Sequence, residues 1–319
     1  MLYRLLKFPA RLAILIYCKH LKLNTNKYLS VKGPLLLAVN HPNSLLDAVI
    51  LSTIFKQPIH SLARGDVFKK PLHEKFLRAI NMHPVYRLSE GAENIEHNYT
   101  SFEACRNIFK ENGIVLIFSE GRCENEWHLR PLMKGTARLA LSAWDAGIPL
   151  KILPVGINYH SFISFGKNVQ VNFGNIISQD DISNTDGFGK TVASFNNLLK
   201  SALQNLVYEI DRNDKNKIKS LFNIHPNYLK KIILFFPGMI GYIFHWPLYF
   251  PIQRFAWSKA SGTGHYDSVV VALLFLLYPI YLCVLLLVFA IIFKSWWVLI
   301  LLLTPFFAWS YVQWKKDKY

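Results

Sequence analysis

Acidic residues are scarce in this chain of 319 residues: 20 Asp and Glu stand against 36 Lys and Arg, a formal charge of +16. Cysteine is scarcer still. Cys18, Cys105, Cys123 and Cys283 lie far apart and form no CxxC pair, which excludes a disulfide framework and the usual zinc spacings and leaves reduced thiols facing the cytoplasm. No Gly-x-Ser-x-Gly elbow occurs, which argues against a lipase of the α/β-hydrolase type. Zinc-finger spacing, a basic zipper and an RNP-like aromatic block are also missing, so nucleic acid is a poor match for the positive charge. The alternative anionic partners are a membrane surface and a phosphorylated substrate.

Apolar runs are plentiful and uneven. Residues 25–215 read as an ordinary globular domain, whereas residues 216–319 are strongly apolar and form a membrane region. Residues 268–293 carry no charge and exceed the ~20 residues needed to span a bilayer. Residues 296–314 form a second such segment with aromatic ends. Only Lys294 and Ser295 separate the two, which predicts a tight transmembrane hairpin, and Lys315, Lys316 and Lys318 place both ends on the cytoplasmic side. The stretch 232–252 contains Pro237, Gly238, Gly241, Pro247, Pro251 and His245 and reads as an interfacial or re-entrant segment. At the other terminus, residues 1–24 are basic and apolar without a small-residue cleavage site. They read as an amphipathic helix in the membrane interface, with Arg4, Lys7, Arg11 and Lys22 on one face and Leu5, Leu12 and Ile16 away from it. An amphipathic helix packed on the protein itself has the same pattern.

Within 25–215, strand-like runs at Leu35–Val39, Ile114–Phe118, Ile152–Ile157 and Val169–Phe173 alternate with helical ones at Ser44–Phe55, Tyr99–Glu111, Lys134–Ala146 and Lys190–Ile210. The expectation is an α/β domain with a mixed, mainly parallel sheet flanked by helices. Functional residues in such sheets lie just beyond strand carboxyl ends. At one such end stands Asn40-His41-Pro42-Asn43-Ser44-Leu45-Leu46-Asp47. Pro42 keeps His41 extended and out of the following helix. With Asp47 in the first helical turn, the carboxylate can fold back onto the imidazole, fix its tautomer and leave the other nitrogen to take a proton. The same residues also fit a plain reading, because Ser44-x-x-Asp47 is a capping box.

Further blocks follow in order: Val85-Tyr86-Arg87, Phe118-Ser119-Glu120-Gly121, Lys134-Gly135-Thr136-Ala137-Arg138 and Leu153-Pro154-Val155. Together with Asn40–Asp47 they resemble the motifs of the PlsC-type glycerolipid acyltransferases (glycerol-3-phosphate and 1-acylglycerol-3-phosphate acyltransferases) over roughly residues 30–175. The resemblance implies a membrane enzyme of phospholipid biosynthesis, bacterial inner-membrane with its site toward the cytoplasm. His41 would be the general base and Asp47 its orienting partner. Arg87 would bind the acceptor's phosphate, and Glu120 and Gly121 would hold the acceptor. The fourth block lies toward the acyl-donor pocket, and the donor is an acyl thioester of coenzyme A or of acyl carrier protein. No metal or other cofactor is implied. Two departures stand out. Five residues separate His41 from Asp47 where four are common, a form similar to a branch of glycerol-3-phosphate acyltransferases. Arg122-Cys123 also replaces the usual Thr-Arg-Ser, which leaves Arg122 an auxiliary phosphate ligand. Backbone N–H groups at Asn43–Ser44 are candidates for an oxyanion site. Two rival readings remain, an acyltransferase for another lysophospholipid or a lyso-aminolipid, and a membrane scaffold without catalysis.

Overall fold

The computed structural model describes residues 1–86, 97–182, 187–224 and 227–316. Seven strands make one sheet: β1 (Cys18–Leu23), β2 (Leu35–Val39), β3 (Ile59–Arg64), β4 (Met82–Val85), β5 (Ile114–Phe118), β6 (Lys151–Tyr159) and β7 (Lys167–Phe173), in the order β1-β7-β6-β2-β5-β3-β4. Every pairing is parallel except β6 with β7. The fold class is therefore the α/β one the sequence predicts. The centre of the sheet is β2, with Leu35, Leu36, Leu37, Ala38 and Val39 all buried. Such unbroken apolar runs belong to parallel strands covered on both faces. One face is covered by α1 (Leu2–Tyr17) and α2 (Leu45–Ile54). The other is covered by α4 (His97–Lys110), α5 (Gly135–Asp145) and α6 (Phe188–Gln204). A short helix, α3 (Pro71–Ala79), precedes β4.

The amino-terminal segment departs from expectation. Its helix stops at Tyr17, and Cys18–Leu23 is strand β1, in register with Lys167–Val171 of β7. Backbone groups along the edge of β7 need partners, and an extended chain supplies them where a helix would not. The expected polar face of α1 is also divided. Lys7 turns inward, its Nζ donating to the carbonyls of Phe55 (2.5 Å) and Lys56 (3.0 Å) at the carboxyl end of α2, where a cation suits the helix dipole. Burial and neighbouring Arg11 lower the Lys7 pKa. Leu5, Phe8, Leu12 and Leu15 face outward, beside Arg4 and Arg11.

The boundary expected at 215 moves as well. Helix α7 (Lys215–Phe222) belongs to the globular part, since Ile218 and Phe222 are buried with Ile210, and Asn168 Nδ2 donates to the Phe222 carbonyl. After α8 (Tyr228–Ile233) comes α9 (Phe235–Ala260), a continuous helix that contains Pro247 and Pro251 and outruns the 232–252 segment. Helix α10 (Tyr266–Phe293), a 3₁₀ segment (Trp296–Leu303) and α11 (Thr304–Trp314) complete the chain. The stretches 266–293 and 296–314 are long and apolar enough to cross a membrane. Lys294 in the left-handed region ends α10, and Ser295 Oγ accepts the Trp297 N–H, which makes the tight reversal expected. Helices α9 and α11 touch at Gly241, where an added Cβ would lie 2.0 Å from the Phe307 carbonyl oxygen.

Candidate active site

The parallel register places Val39 opposite both Phe118 and Val155, so the carboxyl ends of β2, β5 and β6 open side by side. Each delivers a functional group. His41 lies just past β2, Glu120 just past β5, and Tyr159 ends β6. Asn40 pins the exit of β2, its side-chain amide exchanging two hydrogen bonds with the Ile157 backbone at 3.1 and 2.8 Å.

His41 Nδ1 meets Asp47 Oδ2 at 2.9 Å. Asp47 is fully buried, and its carboxylate also accepts the Asn43 N–H (2.8 Å, Oδ2) and the Tyr159 hydroxyl (2.7 Å, Oδ1). Acceptor-only oxygens so surrounded hold the Nδ1–H tautomer of His41. The imidazole stacks on Phe118, with ring centroids 3.6 Å apart. Its side chain keeps 15% exposure, and Nε2 makes no hydrogen bond among the described residues. The arrangement leaves the second nitrogen free, as a general base would need. The capping box is not what forms. Ser44 makes no side-chain cap, and its Oγ bonds His265 Nδ1 at 2.8 Å instead.

Glu120 is buried and bridges two backbones, accepting the His41 N–H at 2.9 Å and the Arg130 N–H at 3.0 Å. Burial pushes its pKa up, and those two hydrogen bonds pull against that shift. Glu120 thus shapes the loop around His41. Gly121 follows at φ +72°, a left-handed turn where a Cβ would also press Met133 Cγ at 2.8 Å. Arg122 is exposed and lies 3.6 Å from Glu124, apart from the dyad's hydrogen-bond network. Arg87 lies outside the described residues, as does Lys318.

The expected oxyanion donors are already engaged, the Asn43 N–H by Asp47 and the Ser44 N–H by Cys123 Sγ at 3.0 Å; the next N–H, of Leu45, donates to Ser268 Oγ at 3.0 Å. Burial and the nearby carboxylate of Asp47 raise the Cys123 thiol pKa and keep it protonated. Sequence reasoning missed Tyr159, Cys123, His265 and Ser268, which sit far from the dyad along the chain. It also missed Arg130, whose half-buried guanidinium has Nη1 shut from solvent, 3.7 Å from Glu124 Oε1 and without a hydrogen bond among the described residues. A cation ten residues past Glu120 was the available signal for Arg130.

Residues 20–158 match the family model described as Acyltransferase. That stretch contains the His41–Asp47 dyad and Glu120. Among solved structures, the chain resembles the 1-acyl-sn-glycerophosphate (LPA) acyltransferase PlsC from Thermotoga maritima at 14% identity, with a TM-score of 0.42, over 64% of this chain and 73% of that one. No curated protein matches the sequence.

Proposed function

We propose that the chain is a membrane-bound O-acyltransferase of phospholipid biosynthesis. It moves a fatty acyl group from a coenzyme A or acyl carrier protein thioester to the hydroxyl of glycerol-3-phosphate or lysophosphatidic acid. The observation that carries this reading is the His41 Nδ1–Asp47 Oδ2 contact at 2.9 Å, with Nε2 free, inside the stretch that matches the Acyltransferase family model. Nε2 takes the acceptor's hydroxyl proton as its oxygen attacks the thioester carbonyl. Collapse of the tetrahedral adduct expels the thiolate, which takes the proton back from the imidazolium. Buried Asp47 stabilises that imidazolium, held by Asn43 and Tyr159. The acceptor's phosphate is assigned to Arg130, with its unbonded Nη1, together with Arg87 and Arg122. No metal or other cofactor takes part in these steps.

A membrane seat is supported by the two long apolar segments and by the outward Leu5, Phe8, Leu12 and Leu15 of α1 beside Arg4 and Arg11. Lys315 and Lys316 at the end of α11 fit a cytoplasmic side in a bacterial inner membrane.

The test offers a labelled acyl thioester to the purified protein with glycerol-3-phosphate, lysophosphatidic acid or a phosphate-free lyso-aminolipid. Transfer to a phosphate-bearing acceptor that falls about 10²- to 10⁴-fold in His41→Ala supports the reading. Transfer restricted to the phosphate-free acceptor overturns the role of the arginines. No transfer from folded protein overturns the reading as a whole.

A further inference from the structure

Ser44 has φ 50° and ψ −129°, a backbone conformation that glycine accepts and serine resists. Such a residue stays put only where its surroundings over-determine it. Most of the contacts that do so come from more than 200 residues away along the chain. Asn43 Nδ2 donates to Asp267 Oδ2 at 2.7 Å, Ser44 Oγ bonds His265 Nδ1 at 2.8 Å, and the Leu45 N–H donates to Ser268 Oγ at 3.0 Å. Three consecutive residues of the catalytic turn are thus held by the start of α10. Cys123 completes the grip, accepting the Ser44 N–H while its thiol donates to the Gly264 carbonyl at 3.5 Å.

Behind this contact lies a fully buried polar cluster. Asp267 pairs with Lys167 of β7 and accepts the Tyr17 hydroxyl of α1 at 2.6 Å. A buried ion pair is a poor device for stability, since apolar residues of the same volume commonly do as well. Its value here is direction. Asp267 fixes the Asn43 side chain, and the Asn43 N–H donates to the same Asp47 oxygen that receives His41. Where Asn43 sits therefore decides where the carboxylate points.

We infer that the first turn of the membrane helix α10 is part of the catalytic centre. His265, Asp267 and Ser268 are positioning residues that clamp Asn43–Leu45 in the conformation that aims Asp47 at His41. The inference rests on the acyltransferase reading above. It gives the apolar carboxyl-terminal region a task beyond anchoring, because a helix lifted from this seat releases the catalytic turn.

The experiment compares the full-length wild type with Ser268→Ala, Ser268→Thr and Asp267→Asn, and repeats Ser268→Ala in a Ser44→Gly background. Initial rates give kcat and KM, and hydrogen–deuterium exchange reports on the amides of residues 43–47. Ser268→Ala and Asp267→Asn lower kcat about tenfold or more with KM little changed, as expected when a reacting group is misplaced. Both speed exchange at 43–47 while β5 stays protected. Ser268→Thr keeps the hydroxyl and restores kcat. In the Ser44→Gly background Ser268→Ala costs less, since glycine takes this conformation without the strain that the clamp must oppose in serine. Wild-type kcat and exchange in both variants overturn the clamp, and so does exchange that loosens uniformly across the core. A wild type inactive on every acceptor sinks the acyltransferase reading instead, and the exchange data then decide the clamp alone.

Discussion

The two halves of the molecule are built on opposite rules. In the sheet domain, apolar strands such as Leu35–Val39 and Ile114–Phe118 are buried and the polar groups lie at their ends. From α9 onward the order is reversed. Leu276, Ile280, Val284, Leu287 and Ile291 of α10 are exposed, while Asp267, Ser268, Thr304, Ser310 and Gln313 are buried. Burial of apolar area from water organises the first half; on the membrane reading proposed above, it contributes little to the outward parts of the second. Close contact of small residues and internal hydrogen bonds do that work instead, as in bilayers. Gly238 and Gly241 of α9 let the α11 backbone approach, Tyr278 joins His245 to Thr304, and Tyr281 donates to the Phe244 carbonyl. On that reading the surrounding solvent sets which residue types hold helices together, and the turn that carries His41 and Asp47 sits where the two regimes meet.

Four substitutions sharpen or break this contrast. The largest effect is expected from Glu120→Gln in the sheet domain. One amide cannot accept both the His41 and Arg130 N–H groups, so a charge-assisted hydrogen bond worth about 1.5–3 kcal/mol is lost and kcat/KM falls by an order of magnitude or more. Near-normal kinetics would remove Glu120 from the site's architecture. Next comes Gly241→Ala in the helical half. Its Cβ meets the Phe307 carbonyl, and overpacking of this kind costs about 1–3 kcal/mol. A thermal melt in lipid nanodiscs should show α9 and α11 loosening first, with the sheet melting as in the wild type. If the whole chain melts earlier as one unit, the two halves are not energetically separate.

Tyr159→Phe is milder. It removes one charge-assisted hydrogen bond to Asp47, worth about 1.5–3 kcal/mol, while the Asn43 and His41 bonds remain, and should lower kcat several-fold with KM unchanged. The smallest effect concerns His60 and His83, whose ring nitrogens lie 3.1 Å apart. Burial lowers both pKa values, that of His83 to about 4. A lowered histidine pKa means the unfolded chain binds more protons in acid. The pair's contribution is therefore complete above pH ~6.5 and is lost as pH falls toward ~4. Denaturant midpoints between those values should decline less steeply in His83→Asn than in the wild type.

Much of this was legible in the sequence because it is local. Continuous apolar runs located β2, β5 and β6, since a strand buried on both faces has no polar position to spare, and the alternation of Val169, Val171 and Phe173 located β7. The proline after His41 and the six-residue step to Asp47 were enough to foresee the dyad, which closes over one turn. Less was readable where pairing partners are distant. Cys18–Leu23 has a mixed pattern that resembles a continued helix, and only the open edge of β7 makes it a strand. In α9 the prolines suggested a break, yet contact with α10 and α11 keeps 235–260 helical. Of the oxyanion donors assigned to Asn43–Ser44, the Ser44 N–H was misjudged for the same reason. Its acceptor is Cys123, 79 residues along the chain, whereas the Asn43 N–H is taken locally by Asp47.

By itself, then, the sequence determined four of the seven strands (β2, β5, β6 and β7), the reach of the apolar hairpin and the pairing of His41 with Asp47, all governed by short-range periodicity and sterics. Only the tertiary structure decided what holds that pair. Tyr159 reaches Asp47 across 112 residues and Asp267 reaches Asn43 across 224. A single polar side chain in a long sequence gives no sign of its partner, because hydrogen bonding is directional and short, and the fold alone brings the two atoms within range.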